Sequence, residues 1–251
     1  MKQYFLFATV LLLCSCSKRT DHLVKSTKIV VIQDLTDSFA LQPQPEPILA
    51  IFDLAHNKDM EAELDLAFIT DRQLNPVQSI HLKDAASSEV DNKEDDATYR
   101  TKLIQKFYSK ARGVFTEGPQ RFKTTDPVDH SEVFCTIISQ LRKLKATHFQ
   151  KKLLIVFGDL NENSSNFSAY SEDNRKLLRN NPKEVAAKLS ERCEVPKSLE
   201  DITIVFCFQP KNRQEDQLYL AMAQVYQLAL EKRGARILFQ ASSDKIMLDD
   251  E

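Results

Sequence analysis

Three short unbroken apolar runs, Lys28 to Gln33, Lys152 to Gly158 and Ile202 to Phe208, punctuate a chain that is otherwise mixed in polarity. Runs of this length that are rich in β-branched residues mark strands buried on both faces. Between them the apolar positions change to a helical period. Leu103, Ile104, Phe107 and Tyr108 share one face of a segment from about Ala97 to Val114. Ser131 stands as an N-cap for a helix from Glu132 to Lys145. Other helices are expected from Pro47 to Ala55, from Asn181-Pro182 to about Arg192, and after Asn212, where Glu215 completes a capping box and Gly234 closes the far end. Gly113, Gly118, Pro119 and Pro127 read as a loop, and residues 84–97 as an acidic surface excursion. Leu64, Leu66 and Phe68 alternate with smaller or polar residues, and Val77 to Leu82 continues extended after a turn, so this pair predicts a hairpin. Arg236 to Gln240 supplies the last strand.

Buried strands that alternate with amphipathic helices build a parallel sheet covered on both sides. The expected fold is therefore α/β, a doubly wound, mostly parallel six-stranded sheet with one antiparallel edge strand, formed by a single domain over residues 28–251. In such sheets ligands sit beyond the carboxyl ends of the strands, where the strand order reverses.

Composition narrows the chemistry. Basic and acidic residues number 34 and 36, so no basic excess points to nucleic acid. Only four glycines occur, at 113, 118, 158 and 234, too far apart for a dinucleotide fingerprint or a phosphate-binding loop. None of the histidines has H-E-x-x-H spacing and no cysteine pair has C-x-x-C spacing, which removes the usual zinc readings.

The amino terminus reads as an address. Lys2 precedes an apolar run from Tyr4 to Leu13, shorter than the roughly 20 residues that span a bilayer, followed by Cys14-Ser15-Cys16. Leu13-Cys14-Ser15-Cys16 looks like a bacterial lipobox. It implies a signal peptide over residues 1–15, lipid attachment at Cys16, a polar tether over residues 16–27 and a lipid-anchored place in the cell envelope. Ser17 points to the outer membrane rather than the inner by analogy with enteric bacteria. Cys135, Cys193 and Cys207 remain in the exported domain, an odd number that leaves at least one unpaired or paired between chains. Cys207, inside an apolar run, reads as a buried thiol; a Cys193–Cys207 bridge is the alternative.

At the expected strand ends the residue types become specific. Directly after the first strand come Asp34, Thr36 and Ser38, a carboxylate and two hydroxyls at alternate positions. Asp159 follows the second buried run, and Ser131 opens the helix before it. Five oxygen side chains gathered this way suit a hard divalent cation, Mg2+ or else Mn2+ or Ca2+. The segment from Asp159 to Asn163 imitates the start of an EF-hand loop, yet Ser164 and Tyr170 occupy the positions that need glycine and glutamate.

Asp34-x-Thr36-x-Ser38 resembles the D-x-S-x-S metal-ion-dependent adhesion site of von Willebrand factor type A domains. Ser131-Glu-Val-Phe134 is similar to the family's T-D-I-F segment, and Asp159 to its second aspartate. The resemblance spans about residues 28–240 and implies strand order 3-2-1-4-5-6. It also implies a bound cation with an open position that an acidic residue of a partner protein completes. Asp37 stands where the family has glycine, Thr36 where it has serine, and Ser131 where it has threonine; oxygen chemistry survives each change. The expected function is thus a cation-dependent protein-binding module of the envelope, not an enzyme, with another envelope protein as partner. The alternatives are a metal-dependent phosphohydrolase using the same pocket and a metal-free scaffold of the same fold. Asp34 at a first strand end also suits an aspartyl phosphatase, but Thr36 stands where that mechanism needs a second carboxylate.

Overall fold

All nine residues of β1 (Ser26–Asp34) are buried, because this strand is paired along both edges and covered on both faces. The computed structural model describes residues 25–36, 41–70, 75–86, 96–122 and 130–248. In it β1 lies between β2 (Glu61–Ile69) and β4 (Lys151–Phe157), parallel to both. β2 pairs antiparallel with the edge strand β3 (Val77–Leu82), while β5 (Ile202–Cys207) and β6 (Arg236–Gln240) extend the sheet from β4 in parallel. The order is β3-β2-β1-β4-β5-β6. The fold is α/β with six strands, mostly parallel, and one antiparallel edge. β1 begins at Ser26, so the last two residues of the expected tether belong to the sheet.

Alternate residues of β1 feed two separate cores. Val30 and Ile32 face α3 (Val133–Lys145), α4 (Glu172–Asn180), α5 (Pro182–Cys193) and α6 (Arg213–Leu230). Ile29 and Val31 face α1 (Pro45–Ala50) and α2 (Asp96–Phe122). The two-residue side-chain period of a strand accounts for the division.

Several elements depart from the sequence reading. α1 stops at Ala50, short of the expected Ala55, and Asp53 in the turns after it takes a left-handed φ of 49°. α2 continues through Gly113, Gly118 and Pro119 where a loop was expected. Gly118 serves close packing, not a turn: a Cβ there would collide with the Phe68 ring, and the helix ends with Phe122 against that ring, centroids 5.2 Å apart. α4 was not foreseen; only Leu178 on it is buried, so its sequence carries a weak apolar stripe. The disulfide joins Cys135 of α3 to Cys193 of α5, not Cys193 to Cys207; Cys207 is free and buried on β5, within the sheet.

Ionic groups line the amino-terminal edge of the sheet, far from the strand ends that carry the candidate chemistry. Glu61 accepts hydrogen bonds from His81 and His148, each at 2.8 Å. Asp201 is paired with Lys145 and, at 2.8 Å, with Lys152. Partial burial pushes the Asp201 carboxyl up, but the hydrogen bonds from the two lysines outweigh it and lower its pKa from 3.8 to about 2. Between these values the unfolded chain binds more protons than the folded one. The pair therefore stabilises the fold above pH 3.8, and this contribution is lost as the pH falls towards 2. Asp201→Asn is expected to flatten that part of the stability profile in denaturant titrations from pH 5 to pH 2. An unchanged slope would overturn the assignment.

Candidate functional site

β1 ends in Asp34, Asp159 follows β4 after Gly158, and each aspartate closes a tight turn. Asp34 Oδ1 accepts the Thr36 backbone N–H at 2.8 Å and the Thr36 hydroxyl at 2.6 Å. Asp159 Oδ1 accepts the Asn161 N–H at 2.9 Å, and its Oδ2 accepts the Asn161 side-chain amide at 2.6 Å. These are Asx turns, in which a short carboxylate replaces the backbone carbonyl as acceptor two residues back. The register pairs Gln33 with Phe157, which places Asp34 alongside Gly158 and brings the two turns to one seam of the sheet. Neighbouring strands lie about 4.8 Å apart.

Gly158 makes the seam narrow enough. A Cβ at 158 would stand 2.8 Å from Asp34 Cβ and 3.4 Å from Oδ2, so any larger residue displaces the carboxylate. Asp34 itself is only 3% exposed. Leu160, between Asp159 and Asn161, has φ of 62°, a left-handed conformation costly for a residue with a branched side chain. Its fully buried side chain in the α3 face of the core holds it there.

Ser131 reaches the site by a different route from the one expected. It does not cap α3: the cap position is Glu132, which makes no side-chain capping bond. Ser131 is extended instead, its N–H donating to Asn163 O at 2.8 Å while Asn163 N–H donates to Ser131 O at 3.0 Å. This two-bond bridge fastens the start of α3 to the loop that carries Asp159. The N–H of Phe134 at the helix start donates to Glu162 Oε2 at 2.9 Å. Glu162 is 1% exposed; burial pushes its carboxyl up, and the bonds from Phe134 N–H and Ser164 oppose this only in part. A carboxylate at a helix amino end is favoured by the exposed N–H groups and the helix dipole.

Asp34, Thr36 and Asp159 lie at the carboxyl edge of β1 and β4, and Ser131 is paired with the loop that Asp159 opens. Ser38 and Cys16 lie outside the described residues. Gly158 escaped the sequence reading as part of this arrangement, and the segment with Leu160, Asn161 and Glu162 reads there only as an incomplete EF-hand-like loop beside the site. A glycine directly before a strand-end aspartate is a usable signal for the first. Glu162 had none, because its partner is 28 residues away.

The donor set fits a hard cation. Asp34, Thr36, Ser131 and Asp159 offer oxygen only, and Asn161 Oδ1 beside them is buried without a hydrogen-bond partner. Among the described residues no three His, Cys, Asp or Glu side chains form a metal cluster, so the set consists of two carboxylates supplemented by hydroxyl and amide oxygens. Beneath it, the Tyr226 phenol of α6 is fully buried; burial first, then the Glu162, Asp34 and Asp159 carboxylates, push its pKa well above 10. No family model matches the sequence, and no curated protein is significantly similar to it.

Proposed function

We propose that this chain is a bacterial envelope lipoprotein, anchored through Cys16, whose single domain is a binding module of the type A kind and not an enzyme. In this reading Asp34, Thr36, Ser131 and Asp159 would hold Mg2+, or Mn2+ or Ca2+ in its place, at the carboxyl edge of β1 and β4, with Ser38 the further ligand that the sequence names. Such an ion would supply the positive charge that attracts an acidic residue of another envelope protein. The observation that carries the reading is the seam where Asp34, the last residue of β1, lies alongside Gly158, with Asp159 the next residue in the chain beyond β4.

The chain's own residues perform three tasks in this account. Thr36 and Asn161 orient the carboxylates by donating to them. The Ser131–Asn163 bridge fixes the helix start against the Asp159 loop. Buried Leu160 and Tyr226 keep the underside of the seam dry, which strengthens electrostatic attraction above it. The Cys135–Cys193 disulfide supports export, since such bonds persist in oxidising compartments.

Titration with Mg2+, Mn2+ and Ca2+ during thermal unfolding tests the reading. At a hundredfold excess over Kd, a cation that binds only the folded state adds about 2.7 kcal/mol, a visible rise in Tm. Asp34→Ala is expected to abolish the response while circular dichroism shows the fold retained. No shift with any of the three ions would favour the metal-free scaffold. Asp34-dependent release of phosphate from p-nitrophenyl phosphate would favour the hydrolase.

A further inference from the structure

A cavity of about 680 Å3 opens between α4 and the first turns of α6, beyond the carboxyl ends of β4 and β5. Asp159 forms part of its wall, so the cavity begins where the seam ends. Its apolar lining comes from Leu178, Phe208, Leu218 and Ala221, and Tyr170, 55% exposed, stands at its rim. Arg175 and Arg179 of α4 also line it, one helical turn apart on the same face.

The charges in this cleft are unequally engaged. Glu172 is paired with Lys176 at 2.9 Å, and Glu215 closes the α6 cap by accepting from Lys211 N–H and the Asn212 amide. Arg175 and Arg179 have no carboxylate within ion-pair distance among the described residues. Arg179 Nε donates to the Arg175 carbonyl at 3.2 Å, and the remaining N–H groups of the two guanidinium groups, four residues apart on the helix, are placed to share one carboxylate. An extended segment, whose alternate side chains point the same way, can set an apolar side chain on the lining and a carboxylate two residues on against the arginines.

We propose that the cleft seats an extended acidic and apolar segment of the protein partner. One apolar side chain rests on Leu178, Phe208 and Leu218, and one carboxylate meets Arg175 and Arg179. The entry point at Asp159 rests on the cation reading given above, in which the partner's first acidic residue completes the ion; the cleft contacts do not depend on it. The cleft thereby adds sequence selectivity, since an acidic residue alone would not distinguish one partner from another.

Calorimetric titration of the intact protein with acetyl-Asp-Leu-Leu-Glu-amide, and with versions carrying one or two glycines after the Asp, tests this in Mg2+ and in EDTA. At least one spacing is expected to bind in Mg2+. Arg175→Gln with Arg179→Gln, both at exposed positions, should weaken it about tenfold, and Leu→Ser in the peptide should do the same. Binding that is lost in EDTA yet indifferent to the arginines would overturn the cleft and leave the cation reading standing. Binding that persists in EDTA and falls with the arginine changes would support the cleft and count against the cation. Failure of every peptide to bind would overturn the inference.

Discussion

Removing the Cys135–Cys193 disulfide, by Cys135→Ala with Cys193→Ala or by reduction, is expected to cost about 4 kcal/mol of stability. The bond joins residues 58 apart in sequence, and a cross-link over a loop of that length restricts the unfolded chain by roughly this amount on the chain-entropy account. It also ties α3 to α5, and α3 begins at the Ser131 bridge beside the candidate site. Urea unfolding of the oxidised protein, the reduced protein and the double variant should give one midpoint for the first and a common, lower midpoint for the other two. A loss below about 1 kcal/mol would mean that the segment is already constrained when unfolded. In a reducing compartment the domain forgoes this stabilisation.

Arg100→Met is expected to destabilise the fold by roughly 3–5 kcal/mol, through a mechanism unrelated to the disulfide. Arg100 is 5% exposed on α2, and its guanidinium donates to the carbonyls of Lys58 and Lys83 at 2.6 Å and Met60 at 2.8 Å. Those carbonyls belong to the segments that enter β2 and leave β3. One side chain therefore clamps both ends of the hairpin to the helix above it. Methionine fills much of the volume and leaves the three acceptors without their charged donor. Arg100→Lys keeps the charge but not the planar fork, and should fall between the two in urea midpoint. Equal stability of the methionine variant would show that water replaces the guanidinium at all three carbonyls.

The parts of the fold legible in the sequence were those whose signals are local. Asn212 accepts from the N–H groups of Gln214 and Glu215, and Glu215 answers, as the capping-box spacing foretold. Asn181 likewise accepts from Glu184 N–H at the start of α5. Gly234 has φ of 85°, the left-handed conformation that a helix end requires. Gly118 misled because the same residue type serves two purposes: it permits a turn, and it permits a close approach. Only the Phe68 ring decided between them.

The candidate site divides along the same line. Asp34, Thr36 and Asp159 could be picked out because they follow buried apolar runs that mark strand ends, a signal local in sequence. The sequence reads the Ser131 hydroxyl as a helix cap, whereas its backbone is paired with a loop some thirty residues downstream, a separation at which no local propensity acts.

By itself, the sequence determined the strands, most helix boundaries, the one antiparallel edge and the oxygen-rich character of the strand ends. All of these follow from side-chain periodicity and from hydrogen bonds made within a few residues. Tertiary structure alone decided that Cys135 meets Cys193, that Glu162 serves the amino end of α3, that Arg100 locks the hairpin, and that a cleft with two arginines opens beside Asp159. Each of these joins residues far apart in the chain, whose meeting depends on the packing of whole helices against the sheet and not on the identity of their neighbours in sequence.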